Sequence, residues 1–184
     1  MGAGASEHPV ELSMPDRVLN PDEVARSIDP INPDPIAIEA ARAILRQRAE
    51  LLNEGLDFAI ETTLSGNGEM RLLKDARDRG YEIGLIYIAT QNPIINLLRV
   101  ERRWEEQNRS VPAADVLRRF ARSLAQLSRA VTLSDIAYIY DNTGADFLKL
   151  AFCKDGKVME TVPELPDWAE RALKPQLDAY RQRS

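Results

Sequence analysis

The chain has 184 residues with 44% hydrophobic and 29% charged side chains, an ordinary soluble composition that at roughly 150 residues per domain predicts one domain spanning 1–184. Lys and Arg number 24 against 29 Asp and Glu, and the net charge of −5 leaves no global basic field to hold nucleic acid or an anionic membrane. A single Cys153 and a single His8 argue against a disulfide scaffold, structural zinc and a Ser-His-Asp triad; no apolar run approaches the ~20 residues of a membrane helix, so a cytoplasmic α/β protein is expected.

Met1-Gly2-Ala3-Gly4-Ala5-Ser6 is small and flexible, with no apolar strand before it and no signal-peptide pattern through Leu12. Val18-Leu19 runs into Asn20-Pro21-Asp22-Glu23, where Asn20 suits an N-cap and Pro21 the first helical position. The Pro-rich stretch Asp29–Pro35 reads as an extended linker. A helix follows, with Ile38, Ala41, Leu45 and Leu52 on its predicted buried face and Gly55 as its stop. Phe58-Ala59-Ile60 is a short apolar strand that delivers Glu61-Thr62-Thr63 to its carboxyl end. After the turn Leu64–Gly68 comes a helix over about Met70–Arg79, stopped by Gly80. Ile83–Ala89 is nearly continuously apolar, the pattern of a strand buried on both faces of a parallel sheet.

Asn92-Pro93 opens a helix through Ile94, Leu97 and Leu98 that becomes densely charged over Arg99–Glu106. Pro112 starts another, with the stripe Val116, Phe120, Leu124 and Leu127. Ile136–Tyr140 is the next strand, and Phe147–Cys153 with Val158–Thr161 flank Asp155-Gly156 as a hairpin. A last helix includes Trp168 and Leu173, and Pro175 kinks or ends it. The order of strands and helices predicts an α/β fold with a parallel sheet covered on both faces.

Ligands of open α/β sheets bind at the carboxyl ends of the strands, where this order aims Asp22, Glu61 with Thr62 and Thr63, and Asp141. A carboxylate in a first helical turn is stabilised by the macrodipole, so capping alone would account for Asp22. Glu61 straight after a buried strand is costly unless a partner or ligand meets it. Arg102 and Arg109 lie seven apart, a spacing that returns side chains to nearly one helical face and suits an anion clamp. The competing reading is a solvated face whose arginines pair with Glu101, Glu105 and Glu106. Gly2–Ser6 looks like the tail of the phosphate-binding pattern G-x-x-x-x-G-K-[ST], with Ala5 where lysine belongs; a frayed terminus has the same composition.

Taken together, Val18–Glu23, Glu39-Ala40-Ala41-Arg42, Phe58–Gly66, Gly80-Tyr81, Arg102…Arg109–Pro112, Arg122-Ser123-Leu124 and Tyr140-Asp141-Asn142 occur in the order and spacing of the zeta toxin family. The resemblance covers about Asn20 to Pro166, and the run Glu61–Gly66 is its most specific piece. It implies a P-loop kinase-like parallel sheet flanked by helices, with a C-terminal β-hairpin and without the first, central strand. Residues 1–17 would be the remnant of the phosphate-binding loop, as though the chain began inside a longer frame, and 99–112 an arginine-bearing lid.

The resemblance further implies transfer of the γ-phosphate of ATP or GTP, with Mg²⁺, to a hydroxyl of a nucleotide sugar such as UDP-N-acetylglucosamine. Asp22 would take the proton from that hydroxyl, and Arg102 and Arg109 would clamp the triphosphate. Glu61, Thr62 and Thr63 would line the substrate side. Gly2, Gly4 and Ser6 would belong to the nucleotide cradle, with Ser6 as the metal ligand. Asp141-Asn142 would serve structure or nucleotide surroundings. A protein antitoxin is the implied partner. Two further readings stay open: a catalytically inactive remnant acting as a binding or regulatory module, and a related kinase acting on another small hydroxylated substrate.

Overall fold

A computed structural model describes residues 14–20, 24, 37–107 and 112–183. The chain divides into two compact units at Glu61/Thr62. Of the expected phosphate-loop remnant over 1–17, residues 1–13 lie outside the described residues.

In the first unit, β1 (Val18–Leu19) pairs in parallel with β2 (Ala59–Ile60), Leu19 opposite Ile60. Between them in sequence lies α1 (Ala37–Glu54). Its end is fixed by Gly55 at φ +69°, which lets Leu56 N–H reach the Leu51 carbonyl at 3.0 Å. That is the closing bond of a Schellman motif, and glycine adopts the left-handed conformation it requires without strain. The buried row of α1 is Ala40, Ile44 and Leu51, and the latter two cluster with Leu19. The expected face is therefore displaced: Ile38 is 70% and Leu45 48% exposed, while Leu52 is buried. Rows 40/44/51 and 41/45/52 have identical spacing one residue apart, so periodicity alone does not choose between them; contact with Val24, Leu56, Phe58 and Ile60 does.

The second unit begins with α2 (Asn67–Asp78), closed by Gly80 at φ +82° and by Tyr81 N–H on the Ala76 carbonyl. Its sheet has the order β3 (Gly84–Ala89), β4 (Ile136–Asp141), β5 (Leu148–Lys154), β6 (Lys157–Thr161). β3 and β4 are parallel and joined through α3 (Pro93–Gln107) and α4 (Ala113–Leu133); β4, β5 and β6 continue antiparallel. The β5–β6 hairpin turns at Asp155 and Gly156, both left-handed at φ 49° and 72°, as the Asp-Gly pair predicts. The last helix, expected to kink or end at Pro175, is broken at Leu173 into α5 (Asp167–Ala172) and α6 (Lys174–Arg181). Pro175 stands at the start of α6, where its missing N–H is harmless.

The core lies on one face of this sheet. Tyr87, Ala89, Ala137, Ile139, Ala151 and Cys153 meet Leu127, Ala130 and Val131 of α4 and Trp168, Leu173 and Leu177 beyond it. The opposite face differs from expectation. Ile86 and Ile88 are 48% and 49% exposed, beside Tyr138 stacked on Phe152 at 5.1 Å, so β3 is not buried on both faces.

Burial pushes the Tyr87 hydroxyl and the Cys153 thiol up to about 12, against ordinary values of 10.0 and 9.0. Both groups stay protonated in the fold while the unfolded chain releases its protons first. Their contribution is thus complete below about pH 9 and declines as pH rises towards 12. Urea midpoints should fall steadily across that window, and Cys153→Ala should flatten the fall. The native thiol should resist alkylation at pH 8 and react once urea unfolds the chain; rapid native alkylation would contradict its burial.

Candidate functional site

In the first unit, the parallel register carries the chain from Leu19 and Ile60 to Asn20 and Glu61, neighbours at the carboxyl ends of β1 and β2. Asn20 Nδ2 donates to Glu61 Oε2 at 2.5 Å, and Glu61 N–H donates to the Leu19 carbonyl at 3.2 Å. Val24 N–H reaches the Asn20 carbonyl at 3.1 Å. Glu61 is exposed rather than buried, so an amide and water meet its charge and the expected burial cost does not arise. The Asn20–Glu61 pair was not foreseen; the parallel register that brings the two together is a tertiary fact. Asp22 lies outside the described residues. An open hollow lined by Met14–Arg17, Leu56 and Asp57 sits at the opposite, amino ends of these strands.

In the second unit, Thr62 and Thr63 open the loop into α2 and are exposed. Thr62 Oγ1 accepts from Leu64 N–H at 3.1 Å and donates to Glu69 Oε1 at 3.2 Å, so its hydroxyl shapes the loop. Thr63 Oγ1 pairs with Ser65 Oγ at 2.8 Å. Leu64 adopts φ 54° with a buried side chain, a left-handed conformation that costs an L-residue energy. Gly66 stands at the N-cap of α2 with extended backbone, φ −102° and ψ 157°, and without a side-chain cap; the carboxylate of Glu69 lies over it, 2.6 Å from where a Cβ would stand.

At the carboxyl ends of β3 and β4 a denser network appears. Asp141 accepts from Thr143 N–H at 2.7 Å and from Trp168 Nε1 at 3.0 Å. Thr143 Oγ1 accepts from Gln91 N–H at 2.7 Å, and Asn142 N–H donates to the Ala89 carbonyl at 2.7 Å. Asn92 caps α3 through Ile94 N–H at 2.9 Å. Arg99, one turn before Arg102, donates to the Gly144 carbonyl at 3.4 Å. Arg102 is exposed on α3. Arg109, Gly2, Gly4 and Ser6 lie outside the described residues.

Among the described residues no three His, Cys, Asp or Glu side chains gather to hold a metal ion. No helix among them is long and apolar enough to cross a membrane.

An uncharacterized protein of Haemophilus influenzae is 33% identical over 86 residues, covering 47% of this chain and 61% of that relative. The chain thus spans about three fifths of the length of that curated relative. A solved structure from the molecular and structural characterization of the PezAT chromosomal toxin-antitoxin system of Streptococcus pneumoniae superposes with a TM-score of 0.47 at 14% identity. It covers 90% of this chain and 73% of its own. The family model described as Zeta toxin matches residues 34–150, which include Glu61–Gly66, Arg102, Arg109 and Tyr140-Asp141-Asn142. The chain belongs to the zeta toxin family.

Proposed function

We propose that this chain is an ATP- or GTP-dependent phosphotransferase of the zeta toxin type, acting on a hydroxyl of a nucleotide sugar such as UDP-N-acetylglucosamine. The observation that carries the reading is the family match over 34–150, which spans the Glu61–Gly66 segment after β2 and both arginines. Phosphoryl transfer is mainly positioning and charge stabilisation, and these side chains are of the kinds it needs. Asp22 takes the acceptor proton, and Glu61, held by Asn20, orients the acceptor together with Thr62 and Thr63. Arg102 and Arg109 neutralise charge on the transferred group; planar guanidinium groups bind phosphate oxygens in pairs.

By residue type Ser6 suits Mg²⁺, whereas Ala5 leaves the phosphates without the loop's lysine. Mg²⁺ takes hard oxygen ligands and is usually held by substrate phosphates with one or two protein oxygens. Ser6 would supply such an oxygen, and Gly2 and Gly4 the close backbone approach; the bound ion would screen the phosphate charge. In this reading the protein works in the cytoplasm, with a protein antitoxin as partner.

The test is incubation with γ-labelled ATP, Mg²⁺ and a panel of UDP-sugars. Label on the UDP-N-acetylglucosamine sugar is the expected result; no transfer to any acceptor overturns it. One sequence feature favours a second reading: Ala5 stands where the phosphate-loop lysine belongs. A chain that binds the nucleotide sugar but neither binds ATP nor transfers phosphate would be a binding module.

Arg102→Ala and Arg109→Ala should each slow transfer about 10²-fold, the scale of one lost charge-stabilising donor. The double variant should lose much less than the product, because both meet one triphosphate. Independent losses, or altered melting with intact transfer, would return both arginines to a solvated face.

A further inference from the structure

Resting on the phosphotransferase reading, we propose that Asp141 and Thr143 are positioning residues that set the orientation of α3 and, with it, of Arg102. Asp141 is 9% exposed, and each carboxylate oxygen has a task. Oδ2 takes the indole N–H of Trp168, itself 2% exposed, which ties the end of β4 to α5. Oδ1 takes Thr143 N–H and closes the turn after β4. The closed turn aims the Thr143 hydroxyl at Gln91 N–H, two residues before α3 begins, and the Gly144 carbonyl at the Arg99 guanidinium. One turn of chain therefore grips α3 at its base and again about two helical turns along it. Helix α3 also packs against α4, and the second grip adds a fixed point that resists rotation of α3 about its axis. Arg102 is at i+3 from Arg99, so the two share a face and the azimuth of one sets that of the other.

The base of α3 is secured by its own means. Asn92 Oδ1 accepts Ile94 N–H, and the Thr90 hydroxyl, on a residue 3% exposed, donates to Asn96 Oδ1 at 3.2 Å. Helix α3 would form without the turn. What the turn adds is direction: it couples an exposed, arginine-bearing helix to a buried carboxylate that is otherwise expensive to keep.

The test uses the full chain. Thr143→Val keeps the side-chain shape but loses the acceptor for Gln91 N–H, and Thr143→Ser restores it. Amide exchange at Gln91, Asn92 and Ile94–Leu98 should quicken at least tenfold in the valine variant and return to the original rate in the serine variant. Leu127–Val131 in α4 should not change. Arg99→Ala, a substitution at a half-buried position, should loosen Leu98–Arg102 alone. In the transfer reaction, kcat should fall about tenfold with the acceptor KM unchanged, and serine should rescue it. Unchanged exchange along α3, or equal loosening of α3 and α4, would overturn the proposal. If the unaltered chain transfers no phosphate while α3 still loosens with valine and recovers with serine, the positioning of the helix stands and the phosphotransferase reading alone fails.

Discussion

Replacing Asp22 by Asn should lower phosphoryl transfer by about 10²–10⁴-fold while leaving nucleotide affinity within about twofold. The substitution preserves size and hydrogen-bonding reach and removes only the capacity to accept a proton. By sequence, Asp22 follows Asn20-Pro21 at the start of a predicted helix, a position where the macrodipole favours a carboxylate. In the proposed reading Asn20 links Asp22 to the acceptor side, since its side-chain amide holds one oxygen of Glu61. Glu61→Gln is the informative companion, because it removes charge without removing volume. It should raise the acceptor KM more than it lowers kcat, whereas Asp22→Asn should act on kcat. Stopped-flow transfer and nucleotide titration on the same preparations separate the two. Loss of ATP binding with turnover retained would reassign Asp22 to the nucleotide or its metal ion.

The sequence was most legible where local chemistry decides the outcome. Gly55 and Gly80 end helices at positive φ, Asp155-Gly156 forms the hairpin turn, and Asn92-Pro93 opens α3. Each depends on a few adjacent residues whose backbone preferences leave few alternatives. Legibility failed where a distant partner decides. The buried row of α1 is one residue away from the expected one because Leu19 and the segment around Phe58 select it. Ile83–Ala89 is apolar throughout, yet only alternate β3 side chains reach the core on α4, leaving Ile86 and Ile88 half-exposed.

The same division runs through the candidate site. Glu61, Thr62, Thr63 and Arg102 were singled out by type and position, but their immediate partners were not. Asn20 beside Glu61 follows from a parallel register, and Trp168 beside Asp141 spans 27 residues of chain. Thr62 illustrates the point from the other side: its hydroxyl bonds Leu64 N–H and Glu69, a loop-shaping task that no motif announces.

Leu127→Ala should produce the largest loss of stability among single core truncations on α4, about 2–5 kcal/mol. Leu127 is fully buried and belongs to the cluster containing Val131, Ile139, Leu150 and Trp168. Removing three side-chain carbons there costs the transfer free energy of the lost surface. It also leaves a cavity between a helix and a sheet that cannot close without shifting either. Leu117, on the same helix but 42% exposed, is the matched control, and its truncation should cost under about 1 kcal/mol. The comparison cancels helix propensity, since both changes replace Leu by Ala inside α4. Urea titration should show a lower midpoint for Leu127→Ala with an unchanged slope, the signature of a destabilised but intact fold. Equal losses at 117 and 127 would mean that α4 does not present Leu127 to the sheet. The assignment of Tyr87, Ile139 and Ala151 to the covered face, and with it the support under Asp141 and α3, would then be lost.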